Sequence, residues 1–218
     1  AIVQVGTRAN IPNDAIVHDL KGKTIYPSFI DLYSNYGMPE IPKGKRNWSA
    51  PPQLESKTKG AVNWNETIKP ETNAAAMFDV NDKTAKSMRD AGFGVVMTHQ
   101  QDGIMRGAST MTSLANKRAN ECVVKVRSAM QLSFKKGISK QNYPSSQMGA
   151  IALLRQTYYD AKWHANNPTI EQNISLDAVI NNTRLPQIFE VKTYLEALRA
   201  DKVGDEFGVQ YIFKGAGD

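Results

Sequence analysis

Short apolar runs alternate with helical segments along most of this chain, and the alternation constrains the fold more than any other feature. Branched and aromatic residues predict core strands near residues 25–33, 93–98, 122–128, 186–191 and 209–214. Helical periodicity predicts that the longest helix begins at Ser145 or Ser146 and runs to about Asn166. Single buried strands that alternate with helices indicate an α/β fold with a mainly parallel sheet covered by helices.

The ends of two other helices can be read from their flanking residues. Asp82 is predicted to cap a short helix that ends at Gly92. The amphipathic segment TYLEALRADKVGDEF is predicted to form a helix closed by Gly208. Residues 100–120 contain glycine and many polar side chains, so we expect them to form a connection without strands.

The composition is that of an ordinary globular domain, with 41% hydrophobic and 22% charged residues in 218. No apolar run approaches the roughly 20 residues that span a bilayer, so we expect no membrane partner. The single cysteine, Cys122, excludes an internal disulfide and a multi-cysteine zinc site. The net charge is +6, but the basic residues are scattered. Their densest group (Lys43, Lys45 and Arg46) lies in a Pro/Gly-rich loop, so we expect no nucleic-acid partner.

The first part of the chain differs in pattern from the rest. Residues 1–22 contain two short β-rich runs joined by turn formers, and we assign them to part of a small β-sandwich segment. Residues 23–218 are assigned to a second unit, which includes a long proline-rich loop at about 36–76. Pro27 predicts that the paired part of the first core strand begins just after it.

The segment 22–37, GKTIYPSFIDLYSNYG, resembles the run that leads into the first barrel strand of the amidohydrolase superfamily, especially its imidazolonepropionase-like members from bacteria. The framing residues stand at the positions that this family's pattern requires: Lys23, Pro27, Phe29, Ile30, Asp31 and Gly37. Ser28 stands where the family usually has glycine. The resemblance implies a TIM-barrel-like (β/α) domain. A closed barrel typically needs about 250 residues, so we expect an incomplete barrel within a fragment of a longer protein.

The family hydrolyses carbon–nitrogen bonds other than peptide bonds with a divalent metal, which lowers the pKa of a bound water. By the resemblance, its metal-ligand positions fall on Tyr33, Asn35, Glu190 and Lys214. Only Glu190 is a competent ligand, because a neutral phenol and an amide bind zinc weakly and an ammonium repels a cation. We therefore expect no metal at the strand-one site, and zinc or another divalent metal only if the protein is active.

Residues near the predicted strand ends provide further candidates for a pocket: His99, Gln101, Arg106 and Lys214. His99 ends the strand GVVMTH, and in a barrel it would face the mouth where active-site groups gather. The alternative for His99 is a hydrogen-bonded loop histidine. No catalytic residue is assigned from the sequence.

Three functions remain open at this stage. The first is a degenerate, non-catalytic amidohydrolase domain, or pseudoenzyme, whose partner is the remainder of a longer chain. The second is an active hydrolase of a small amide-like molecule that uses altered ligands. The third is a binding or interaction module on the same scaffold. Formation of a homo-oligomer is left open, and the resemblance suggests a periplasmic or secreted bacterial protein.

Overall fold

The computed structural model describes residues 3–7, 9–42 and 49–217, and its strands form two four-stranded sheets. The first sheet contains, in spatial order, β1 (Phe29–Ser34), β2 (Phe93–Thr98), β4 (Thr110–Ser113) and β5 (Val123–Lys125). The second contains, in spatial order, β3 (Met105–Ala108), β6 (Met130–Ser133), β7 (Gln187–Val191) and β8 (Tyr211–Gly215). The architecture is mixed α/β, and it is compatible with an incomplete barrel.

The helices of the described residues are α1 (Ala74–Met77), α2 (Asp82–Asp90), α3 (Ala119–Cys122), α4 (Gln147–Asn166), α5 (Ile174–Asn182) and α6 (Tyr194–Phe207). The larger core lies between the second sheet and helices α4, α5 and α6, where Phe189 and Leu154 are fully buried. A smaller core around Val96 contains residues that precede β2, such as Phe78 and Ala85, and residues that follow it, Leu114 and Cys122. Neither α4 nor any other helix of the described residues is long and apolar enough to cross a membrane.

Both sheets are mixed, which corrects the prediction of a mainly parallel sheet. Strand β1 runs parallel to β2, and β6, β7 and β8 run parallel to one another. Strands β3 and β4 are antiparallel to their neighbours, and both come from the segment 100–120 that was predicted to be a connection. That prediction was wrong because Thr110 and Thr112 are polar in sequence but fully buried in the fold.

Several helix and strand ends lie where the sequence predicts them, and two do not. Strand β1 begins at Phe29, two residues after Pro27, and Gly208 ends α6 in the left-handed conformation with φ 67°. Asn81, not Asp82, caps α2, because the Asn81 side chain accepts a hydrogen bond from the Thr84 amide. Cys122 belongs to the short helix α3, so the strand predicted over 122–128 is reduced to β5.

The described residues before Phe29 form no strand, and their large apolar side chains, such as Val3 and Ile16, are exposed. The assignment of 1–22 to a β-sandwich segment therefore stays a prediction. The basic group of Lys43, Lys45 and Arg46 lies outside the described residues. In the rest of the long loop the backbone forms only isolated bridges before α1, including those from Ile68 to Met105 and from Asn73 to Ala108.

A glycine in β3 shapes the strand around Arg106. The pairing of β3 with β6 is irregular between Met105 and Ala108, and Gly107 has φ 82°. A Cβ atom at Gly107 would lie 2.1 Å from the carbonyl oxygen of Thr72. Only glycine satisfies both the positive φ and this close approach of two backbones.

We predict that Gly107→Ala destabilises the protein more than Gly208→Ala does. Both positions have a positive φ, which costs an alanine about 1 kcal/mol, but a Cβ at Gly208 has no heavy atom within 4 Å. Urea unfolding of the two variants measures the difference, and equal losses of stability would show that the contact with Thr72 is not restrictive.

Candidate functional site

Six polar side chains from both sheets meet at one end of the strands, and we call this group the mouth cluster: Tyr33, His99, Arg106, Lys135, Glu190 and Lys214. Tyr33 lies near the end of β1, and His99 directly follows β2. Glu190 and Lys214 lie near the ends of β7 and β8. Since β7 and β8 are parallel, as are β1 and β2, each pair delivers its side chains to a common sheet edge.

Strand register determines which residues of the second sheet meet. Glu190 on β7 pairs with Lys214 on β8, so their side chains lie on the same face. On its other side Glu190 pairs with Ser133, the last residue of β6. Lys135 follows two residues later, which brings its ammonium to the same carboxylate.

Three cations surround the carboxylate of Glu190, whose side chain is only 10% exposed. Arg106 Nη2 donates to Oε2 at 2.9 Å, and Lys135 Nζ donates to Oε1 at 2.6 Å. Lys214 Nζ lies 3.8 Å from Oε1, beyond hydrogen-bond distance. Both carboxylate oxygens are therefore engaged by a charged donor.

Arg106 connects the two sheets. Its Nε donates to the carbonyl oxygen of Gly103 at 3.0 Å, and its Nη1 donates to the hydroxyl of Tyr33 at 2.6 Å. The Arg106 side chain is 2% exposed, so its charge depends on these protein partners rather than on water. Tyr33 belongs to the first sheet and Glu190 to the second, and one guanidinium binds both.

The surroundings of Glu190 strongly favour its ionised form. Burial by itself raises the pKa of this carboxyl group, but hydrogen bonds from Lys135 and Tyr33 and the charge of Arg106 outweigh burial and lower the pKa to about 2. Glu190 is therefore negatively charged at neutral pH.

Tyr33 and His99 are both neutral at neutral pH. Burial raises the pKa of the Tyr33 phenol well above its ordinary value, although the charge of Arg106 opposes the rise. Burial, together with the charges of Arg106 and Lys214, lowers the pKa of His99 to about 3. The two rings pack edge to face with centroids 4.8 Å apart, and His99 is fully buried with neither ring nitrogen hydrogen-bonded.

The residues that the sequence resemblance places at metal-ligand positions have other surroundings in the structure. Glu190 is occupied by cations, and Lys214 adds a positive charge 3.8 Å away. Tyr33 keeps its proton, and Asn35 is exposed. Across residues 3–7, 9–42 and 49–217, no group of three or more His, Cys, Asp or Glu side chains is placed to hold a metal ion.

The structure brings together most of the residues proposed from the sequence, and it adds one. His99, Arg106 and Lys214 all lie in the mouth cluster, whereas the half-buried Gln101 takes part in none of the hydrogen bonds, ion pairs or ring contacts that define the cluster. Lys135 was missed because β6 was not recognised as a strand. The alternation of Met130, Leu132 and Phe134 with polar residues could have revealed it.

Comparison with known proteins supports the fold. No protein-family model matches the chain, and no curated protein sequence matches it. The crystal structure of an amidohydrolase from Thermotoga maritima MSB8 is similar to it, with a TM-score of 0.73, 20% sequence identity and 98% of this chain covered. The chain spans 57% of the length of that structure. At this identity the likeness establishes an amidohydrolase-like fold and nothing finer.

We predict that Glu190→Gln lowers the free energy of unfolding at pH 7 by about 3 kcal/mol, because it leaves the buried Arg106 without its counter-charge. The folded-state pKa of Glu190 lies below 4.5, so its stabilising effect is complete above pH 4.5 and is lost as the pH falls towards 2. The difference in the free energy of unfolding between the variant and the unaltered protein should therefore become smaller as the pH is lowered.

Denaturant unfolding between pH 7 and pH 3 measures this gap. Glu206→Gln is the matched control, since Glu206 pairs with Arg155 and Tyr159 at an exposed site and should show a much smaller effect. A gap for Glu190→Gln that stays constant with pH would contradict the assigned role of Glu190.

Proposed function

We propose that this chain is an amidohydrolase-type domain, related to metal-dependent hydrolases of carbon–nitrogen bonds, that holds no catalytic metal at the strand-one site. The observation that carries the proposal is the double pairing of Glu190. Of the residues at the family's ligand positions, Glu190 is the competent ligand, and its two oxygens are bound by Arg106 and Lys135.

The charges around Glu190 oppose the entry of a metal. A divalent cation would have to replace Arg106 or Lys135 at the carboxylate and then remain close to the displaced charge. Two unit charges 4 Å apart interact by about 4 kcal/mol at an effective dielectric constant near 20, and a divalent ion doubles that. Arg106 cannot easily move into water to escape this repulsion, because its side chain is 2% exposed.

The protonation states of His99, Glu190 and Tyr33 also support a domain without catalytic activity. A general base works best when its pKa lies near the working pH. The pKa of His99 is about 3 and that of Glu190 about 2, so both are weak bases at neutral pH. Tyr33 holds its proton, and it is therefore a poor nucleophile.

We predict that protein purified without a chelator contains far less than one equivalent of zinc, iron or manganese per chain. Elemental analysis of the unaltered protein, Glu190→Gln and Glu206→Gln measures the metal content. Both variants lose one carboxylate, but only Glu190 lies in the mouth cluster.

About one metal ion per chain that Glu190→Gln loses and Glu206→Gln retains would overturn the proposal. That result would favour the alternative function, a hydrolase that uses altered metal ligands. A metal content near zero in all three proteins supports the proposal that the domain holds no catalytic metal.

A further inference from the structure

The mouth cluster carries more positive charge than its own groups neutralise. Arg106, Lys135 and Lys214 are cations, whereas Glu190 is the carboxylate that pairs with all three. Among the residues that the structure describes, no second carboxylate forms an ion pair with any of them. With Tyr33 and His99 neutral, the cluster has an excess of two positive charges.

The excess charge is accessible from solvent. The side chains of Lys135 and Lys214 are 47% and 45% exposed, whereas Arg106 beneath them is buried. Lys214 Nζ lies over the Tyr33 ring, 4.1 Å from its centroid, and it is too far from Glu190 for a hydrogen bond. The N–H groups of Lys214 are thus available to a ligand. The buried charge of Arg106, behind the exposed ammonium groups, strengthens the local positive potential.

His99 gives a second, independent indication of a ligand. It is fully buried beside Tyr33, and neither ring nitrogen has a hydrogen-bond partner. A neutral imidazole offers one donor and one acceptor, and buried polar groups of this kind are nearly always satisfied by protein, water or ligand. The unpaired ring packs edge to face against Tyr33, and the hydroxyl of Tyr33 accepts a hydrogen bond from Arg106 at 2.6 Å, so His99 adjoins the charged part of the mouth cluster.

We infer that the mouth cluster binds a small oxyanion, a carboxylate or phosphate group, through the ammonium groups of Lys135 and Lys214. Both nitrogens lie within 3.8 Å of the same oxygen of Glu190, so one oxyanion can reach both. Arg106 acts as a positioning residue that holds Tyr33 and Glu190 and maintains the positive potential. The inference rests on the proposed absence of a metal, because a metal at Glu190 would occupy the same space.

The test is an NMR titration of inorganic phosphate, and separately of acetate, into the protein at constant ionic strength. The metal content of the same sample is measured first. We expect saturable shifts of the signals of His99 and Lys214 with at least one of the two anions. The anion that binds with the higher affinity shows whether the site prefers a phosphate or a carboxylate group.

Variants distinguish binding at the mouth cluster from attraction by the overall positive charge of the protein. Lys214→Gln and Lys135→Gln should each weaken binding by about tenfold, since each removes a charge-assisted hydrogen bond. Lys202→Gln removes the same charge from an exposed position on α6 and should change the affinity less than twofold. Glu190→Gln should tighten binding, because it removes the competing carboxylate; a purely structural cluster would show no such gain.

Shifts that fail to saturate in metal-free protein would overturn the oxyanion site and leave the proposed function intact. Equal weakening by Lys202→Gln and Lys214→Gln, or weaker binding in a folded Glu190→Gln variant, would also overturn it. If the sample contains one metal per chain and chelation abolishes anion binding, both the inference and the proposed function are wrong.

Discussion

The arrangement of this fold depends on the pairing of one buried cation, Arg106. A guanidinium that is 2% exposed needs acceptors from the protein, and it finds them at Gly103, Tyr33 and Glu190. Because Tyr33 lies on β1 and Glu190 on β7, the same charge fixes the two sheets relative to each other at the mouth. Gly107 supports this geometry, since it allows β3 to bend beside the Arg106 backbone.

The same pairing decides what chemistry the mouth can support. A carboxylate that already pairs with three cations is a poor ligand for a metal ion, which is the basis of our proposal that Glu190 serves the structure and not a metal. The surplus positive charge and the unpaired His99 are the observations behind our proposal that the mouth binds an anion and not a cation. An amidohydrolase-like fold therefore does not determine the function of this site, which follows from the side chains that the strands deliver.

The sequence predicted several apolar elements correctly, but it missed strand β6 and helix α5, and it predicted the polar strands poorly. Strand β2 and the ends of α4 and α6 follow from an apolar run, a serine cap at Ser146 and the glycine at 208. Strands β3 and β4 were missed because Arg106 and Thr110 are buried by pairing with distant residues, which no local pattern reveals. The same limit applies to the site: the family resemblance drew attention to Glu190 as a possible ligand position, but only the fold places Lys135 against it.

A double-mutant cycle between Arg106 and Glu190 tests this account most directly. It compares the free energies of unfolding of Arg106→Gln, Glu190→Gln, the double variant and the unaltered protein at pH 7. Because the two side chains share one buried ion pair, the double variant should be more stable than the sum of the single effects predicts, with a coupling free energy of about 2 kcal/mol. Effects that add within about 0.5 kcal/mol would contradict the claim that this pair organises the mouth.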